Sequence, residues 1–303
     1  MKKTIISLAA IAASCAAYSQ DGQFPLDSLK NPSVDYVSVS ASVGFESAYV
    51  FRAEKLANYS IQPEVEVGYT IAGFDLYGGA WANTPLYGTD DGLQEIDFNA
   101  GASYTYKSLR LDVGYLYYWY PSYDKASGDL SRDMEVYVGI SLDTSAYLDG
   151  INLNPSVYYF YNWILEQQVV EASIGYDTPV GSWLMGWEKL TMPANVYFGY
   201  ATAGRKNGDT GGDDVGCTYW YWGASIDVAY AITEYCTLSA GARYSQAFGN
   251  NADDRLIKSI PDRTSGTGQK YLLASRPQHI SLGERSQTGA FVFNFSQARE
   301  SLL

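Results

Sequence analysis

Pairs of acidic residues two positions apart recur along this chain: Glu64 and Glu66, Glu95 and Asp97, Asp133 and Glu135. Arg110 and Asp112 keep the same spacing. A separation of two puts both members on one face of an extended strand. Glu46, Asp75, Asp227, Arg52 and Arg243 fall on the same parity within their own runs. The chemistry open to such a set is electrostatic, because a wall of carboxylates concentrates cations and a few guanidiniums offset it locally. Covalent chemistry is poorly supplied. The single histidine, His279, follows Arg276, Pro277 and Gln278, and no Ser-bearing G-x-S-x-G turn accompanies it. The segment 204–214 carries oxygen ligands for Ca²⁺ but lacks the spacing and closing Glu of an EF-hand, so a solvated turn is expected. The cysteine spacing forms no metal cluster. No enzyme activity, cofactor or metal is expected.

The elements that carry these residues are strands. QEIDFNAGASYTY sets Ile96, Phe98, Ala100, Ala102, Tyr104 and Tyr106 against Glu95, Asp97, Asn99, Gly101, Ser103 and Thr105. LRLDVGYLYYWYP sets Leu109, Leu111, Val113, Tyr115, Tyr117 and Trp119 against Arg110, Asp112, Gly114, Leu116, Tyr118 and Tyr120. VSVSASVGFESAYVF extends one apolar face from Val37 through Val43 and Phe45 to Tyr49 and Phe51. Further period-two runs lie at 63–71, 73–82, 132–142, 153–163, 168–177, 194–202, 217–230, 235–246 and 288–296. That makes twelve candidate strands and no amphipathic helix.

A soluble sandwich would alternate in the same way. Three features favour a membrane barrel instead. The runs are long for a sandwich. Tyr and Trp gather at run ends, where a lipid–water interface favours them. The links also alternate in length: 72, 107–108 and 231–234 are tight, whereas 53–58, 84–92, 122–130, 203–216 and 247–287 are long. The long 179–192 and the short link near Ile164 are exceptions. Short turns on one side and long loops on the other mark an outer-membrane barrel. The expected fold is therefore all-β, a single transmembrane antiparallel β-barrel of twelve strands.

MKKTIISLAAIAASCAAYSQ reads as a signal peptide over 1–19. Lipidation at Cys15 is the weaker alternative, since Ala stands at the first position of that loose box where Leu is usual. A short periplasmic lead over 20–35, the barrel over 36–296 with its long loop 247–287, and a tail over 297–303 complete the organisation. Without Lys2 and Lys3, 18 basic residues face 33 acidic ones, a net charge of −15 (18 − 33). Such a chain is a poor partner for nucleic acid. Cys217 and Cys236 begin successive antiparallel runs, so a hairpin places them at opposite ends, beyond the roughly 7 Å between Cα atoms that a disulfide tolerates. Free thiols are expected.

Ser47–Arg52, Pro63 with Val65 to Tyr69, Gly73 to Asn83, and Asp112 to Pro121 resemble the TorF-type porin family, a conserved outer-membrane barrel family of Gram-negative bacteria. The resemblance is firm from Val37 to Gly139 and continues as alternating strands. The usual family opening is Tyr-Val-Phe-Arg-Gly; here Ala53 replaces that Gly, so the first outer turn is expected to differ. The resemblance implies a channel in the cell outer membrane. It carries over no substrate and no catalytic residue.

The polar face would line the lumen: Glu46, Arg52, Glu64, Glu66, Asp75, Glu95, Asp97, Arg110, Asp112, Asp133, Glu135, Asp227 and Arg243. Arg52 and Arg110 are each placed to bridge two carboxylates, and the acidic excess calls for water. Gly44, Gly68, Gly101, Gly114 and Gly139 would free lumen width. Tyr77, Trp81, Tyr118, Tyr158, Phe160, Tyr219 and Tyr221 on the same parity would either stack on sugars or narrow the channel. The expected function is passive diffusion of small hydrophilic solutes, with cations or neutral solutes preferred. The alternative is a non-conducting barrel with a binding or structural role. The expected partners are outer-membrane lipid and those solutes, and the oligomeric state is open. Cysteines introduced at Gly88 or Gly208 should react with an impermeant thiol reagent on intact cells, and one at Ser108 should not. Equal labelling at all three would refute the strand order.

Overall fold

The computed structural model describes residues 36–87, 92–122, 131–180, 187, 189–203, 217–233, 236–248, 288–296 and 300–301. The leader, the periplasmic lead, the 204–214 segment and His279 lie outside the described residues. So does all of the long loop beyond Phe248.

Among the described residues fifteen strands follow one another: β1 Tyr36–Glu46, β2 Tyr49–Phe51, β3 Glu54–Ala57, β4 Ser60–Ile71, β5 Phe74–Pro85, β6 Glu95–Tyr106, β7 Leu109–Trp119 and β8 Arg132–Leu142, then β9 Ser156–Asn162, β10 Gln167–Thr178, β11 Leu190–Ala203, β12 Cys217–Thr233, β13 Cys236–Phe248, β14 Thr288–Ser296 and β15 Glu300–Ser301. Thirteen of them form one sheet in which β4 to β14 lie side by side in chain order. β1 adjoins β4 and also pairs with β14, from Ser40 opposite Ser296 to Glu46 opposite Ala290. The two ends of the sheet are thus hydrogen-bonded to each other. Every pairing is antiparallel. Within the tail, Glu300 and Ser301 form β15 opposite Val37 and Tyr36.

The register follows from parity. A shift of one residue would turn every side chain to the other face, so an apolar set on one side pins each pairing. Val113 lies opposite Ala102 on one side and Val138 on the other, and all three point outward. The outward set includes Val67, Ile71, Phe98, Leu111, Val138, Ile140, Val157, Ile174, Val196, Ile226 and Val228, all exposed. Phe74 and Tyr104, at 4.8 Å, and Trp187 and Tyr230, at 6.2 Å between ring centroids, sit near one rim. Trp220 and Trp222 pair with aromatic neighbours toward the other. Tight turns close the first rim: Ala72 and Gly73 both take positive φ (51° and 84°), the mirror-image turn that matches strand twist. Asp143 to Pro155 is an ordered exception there, tied by Thr144 and Asn152.

The first run departs from expectation. β1 stops at Glu46, and Tyr49 and Phe51 do not continue its outward face. They belong to β2, which pairs only with β3 in a separate two-stranded sheet. Tyr49 is 8% exposed and packs on Trp81 at 5.2 Å. The chain bends at Ser47 and Ala48 and returns the hairpin to the inner face, where its aromatic residues find aromatic neighbours.

Cys217 opens β12, and Cys236 lies opposite Thr233 at that strand's far end. The strand's 17 residues separate them by roughly 50 Å at about 3.3 Å per residue. Cys236 is a free thiol.

Val113 is 51% exposed on the apolar outer face. Val113→Arg should cost about 2–4 kcal/mol for a basic group at bilayer depth. Heat-modifiable mobility on gels should show impaired assembly; wild-type mobility with full membrane insertion would place Val113 elsewhere.

Candidate functional site

The inner face gathers the polar parity of every strand. Glu46, Glu64, Glu95, Asp97, Arg110, Asp112, Asp133, Glu135 and Asp227 are buried there, Glu66, Asp75 and Arg243 half-buried. Arg52 reaches the same interior from the hairpin turn rather than from the wall. Tyr77, Trp81, Tyr118, Phe160, Tyr219 and Tyr221 are buried on this face, and Tyr158 is half-buried. Tyr137 and Tyr197, which sequence reasoning did not single out, join them.

Several of these tyrosines lie over glycines of the next strand. A Cβ on Gly101 would run into the Tyr77 phenol, one on Gly114 into the Tyr137 phenol, and one on Gly139 into the Tyr158 ring. Tyr221 over Gly199 and Tyr197 over Gly223 repeat the arrangement. These are directly opposed cross-strand partners. The expectation that such glycines widen the lumen is corrected at Gly101, Gly114 and Gly139. They provide seats that let a ring lie along the wall.

The phenols also alter the charge balance. Tyr77 donates to Asp112 Oδ1 at 2.7 Å and Tyr158 to Oδ2 at 3.2 Å, while the Tyr77 and Tyr137 hydroxyls bond each other. Tyr221 donates to Glu171 at 2.6 Å, and Tyr118 to Glu135 at 3.3 Å. Asn162 donates to Asp133 at 2.6 Å, and Thr70 to Asp75 at 2.6 Å. Glu171 was missed from the sequence, although its place two residues before Ser173 and four before Gly175 carries the inward parity. Counting only basic residues as partners therefore overstated the unpaired charge. Water remains implied: Glu95 Oε2, Asp97 Oδ1 and Ser103 Oγ are buried with no hydrogen-bond partner among the described residues.

The expected bridging by Arg52 is also corrected. Arg52 grips one carboxylate with both arms, Nη1 to Glu135 Oε2 at 2.9 Å and Nη2 to Oε1 at 2.8 Å. Its Nη1 also donates to Gln167 at 3.4 Å. Phe51 and Phe160 face the guanidinium at 4.7 and 4.8 Å. Burial opposes the charge, but the Glu135 carboxylate outweighs it and holds the guanidinium above its ordinary pKa. Two carboxylates meet instead at Arg243, with Glu46 at 3.5 Å and Asp227 at 3.7 Å. Arg110 sits within electrostatic reach of Glu66.

Arg52 and Ala53 form the two-residue hairpin turn with positive φ at both, 47° and 64°. This is the turn that prefers Asn-Gly, and a left-handed non-glycine residue costs about 1–2 kcal/mol. Packing offsets the cost: Ala53 is buried in a cluster with Leu116, Tyr118, Phe160, Val169 and Tyr219. On the other flank Tyr49, Leu56 and Ala57 pack with Trp81 and Leu93, and Leu93 N–H donates to Leu56 C=O at 2.8 Å. Tyr49 bonds Glu95; burial first, then that carboxylate, pushes its phenol pKa up, so the hydroxyl is the donor. The hairpin lies inside the wall and is held mainly by side chains.

Among the described residues, no group of His, Cys, Asp and Glu has the geometry to hold a metal ion. No described helix is long and apolar enough to cross a membrane. An antiparallel sheet with joined ends, apolar outside and polar within, is outer-membrane barrel architecture, because lipid offers no partner to an open edge.

No family model matches the chain, and no curated protein does. Solved structures give distant likenesses. The NanC porin aligns at 10% identity and a TM-score of 0.45, covering 85% of this chain and 98% of that one. The toluene transporter TodX of Pseudomonas putida aligns at 12% identity and a TM-score of 0.39, covering 95% and 94%. BamA from Haemophilus ducreyi aligns at 9% and 0.37, covering 86% and 70%.

Glu135→Gln should leave the Arg52 charge buried without its carboxylate and cost about 3–5 kcal/mol. The joint change Arg52→Met with Glu135→Met should recover part of that loss, since no charge is then stranded. Urea unfolding of the refolded protein in lipid vesicles measures both. A loss under about 1 kcal/mol in Glu135→Gln would show that the pair is solvent-screened.

Proposed function

We propose that this chain is a twelve-stranded outer-membrane channel of the TorF-type porin family, passing small hydrophilic solutes by diffusion and preferring cations or neutral solutes. The observation that carries this reading is the carboxylate-rich inner wall within an apolar outer face. Acids at Glu64 and Glu66 on β4, Glu95 and Asp97 on β6, and Asp133 and Glu135 on β8 follow the wall on three alternate strands, and Glu95 and Asp97 leave oxygens for water. A carboxylate-lined aqueous path raises the local cation concentration. The hairpin narrows that path from the rim of the longer links, which we read as the outer one.

The packed hairpin favours a second reading, a non-conducting barrel with a binding or structural role. Conductance separates the two. Purified protein in a planar bilayer should open discrete channels, with reversal potentials in a salt gradient showing cation preference. That preference should weaken at high ionic strength, because salt screens the field. Neutralising Glu64, Glu66, Glu95 and Asp97 together should weaken it further. No conductance from correctly folded protein would select the second reading, and anion preference would refute this account of the lining.

A further inference from the structure

The tip of the hairpin shows what its socket in the wall recognises. Glu135 is 1% exposed and presents both carboxylate oxygens in one plane to the two terminal nitrogens of Arg52. That two-armed match is specific to a planar guanidinium; an ammonium is a point charge and reproduces only part of it. Phe160 supplies a ring face at 4.8 Å, where a weakly hydrated cation is attracted to the ring's negative face. Gln167 supplies a further acceptor, and Tyr118 donates to Glu135 Oε1, which fixes the carboxylate's orientation.

All four of these residues belong to the wall, on β7, β8, β9 and β10, and none to the hairpin. The socket is therefore complete without Arg52's own segment. The arginine that fills it sits on a two-stranded sheet apart from the large one, joined by main chain only at the Ala57–Gly92 bridge and the Leu93–Leu56 hydrogen bond among the described residues, at a turn whose left-handed residues are not glycine.

We propose that Glu135, Gln167, Phe160 and Tyr118 form a binding site for small guanidinium-bearing cations, and that Arg52 is its built-in occupant. Such a solute competes with the hairpin for the socket. In the wild-type protein its binding displaces the tip, so the ligand that the site selects is also the one that loosens the constriction. A solute with its own free carboxylate is disfavoured by the surrounding acids, so the guanidinium ion and arginine amide are the fitting probes. The regulatory half of this inference rests on the channel reading above; the binding half does not.

The test replaces the occupant. Arg52→Ala removes the arginine, and low-millimolar guanidinium, far below denaturing concentrations, is then added to the refolded protein in lipid vesicles. Guanidinium and arginine amide should raise the unfolding temperature of Arg52→Ala, at concentrations about tenfold lower than methylammonium requires. Adding Glu135→Gln should abolish the gain. In planar bilayers the same ions should reduce the conductance of Arg52→Ala and increase that of the wild type. Equal effects of guanidinium and methylammonium, or an effect that survives Glu135→Gln, would overturn the site and leave only general attraction to an acidic wall. Guanidinium block of the wild type rather than activation would overturn the competition. If Arg52→Ala does not assemble, Arg52→Gln carries the same assays, since its shorter neutral side chain brings no guanidinium to Glu135 and leaves the socket open to the added cation. If no variant conducts, the channel reading fails, and the unfolding-temperature arm still decides whether the site exists.

Discussion

A strand in hydrocarbon needs a hydrogen-bonded neighbour on both sides, because lipid supplies no donor or acceptor to an open edge. The rest of this structure depends on that constraint. It requires β1 and β14 to meet, and it holds the long strands of the described sheet side by side within a limited girth. It also ties each side chain's environment to parity, with odd positions of β7 outward and even positions inward. Once the ring is closed, everything on the inner face must find partners within that space. The tyrosines seated over glycines of adjoining strands are one consequence: large rings fit by lying along the wall rather than across the lumen.

The electrostatics follow from the same confinement. Acidic residues outnumber basic ones by 33 to 20 in the whole chain, and the inner face shares that imbalance. Phenols, an asparagine and a threonine make up part of the difference as neutral donors. Such bonds satisfy carboxylate oxygens without cancelling their charge, so the wall stays acidic while remaining foldable. Arg52 is a different case. Its charge is carried into the interior on a hairpin that shares no strand ladder with the large sheet, and is matched there by a single fully buried carboxylate.

That arrangement joins stability to function. A buried ion pair contributes little over an apolar pair of equal shape but is costly to break singly. It therefore suits a contact that must be specific and replaceable rather than merely tight. The strained turn acts in the same direction, since part of the packing energy of Ala53 and its neighbours is offset by the left-handed backbone beneath them.

The all-β antiparallel class, strand parity and the outward apolar set were legible from sequence, because a period of two between lipid and water is written residue by residue. So was the separation of Cys217 from Cys236, which follows from hairpin direction alone. The inward turn of Tyr49 and Phe51 was not legible. Alternation runs on through Ser47 and Ala48, and an aromatic hairpin packed against aromatic wall residues has the same pattern as a strand facing lipid. Ala53, where the pattern the chain resembles has Gly, marked the turn as different without revealing its direction. Pairing was hidden for a related reason: which carboxylate receives a phenol, and which receives Arg52, depends on residues 83 or 35 positions apart in the chain. Local sequence determines which face a side chain occupies. Only closure of the sheet brings Arg52, Glu135, Phe160 and Gln167 to one point, because that meeting depends on the ring's girth and stagger rather than on any neighbour in sequence.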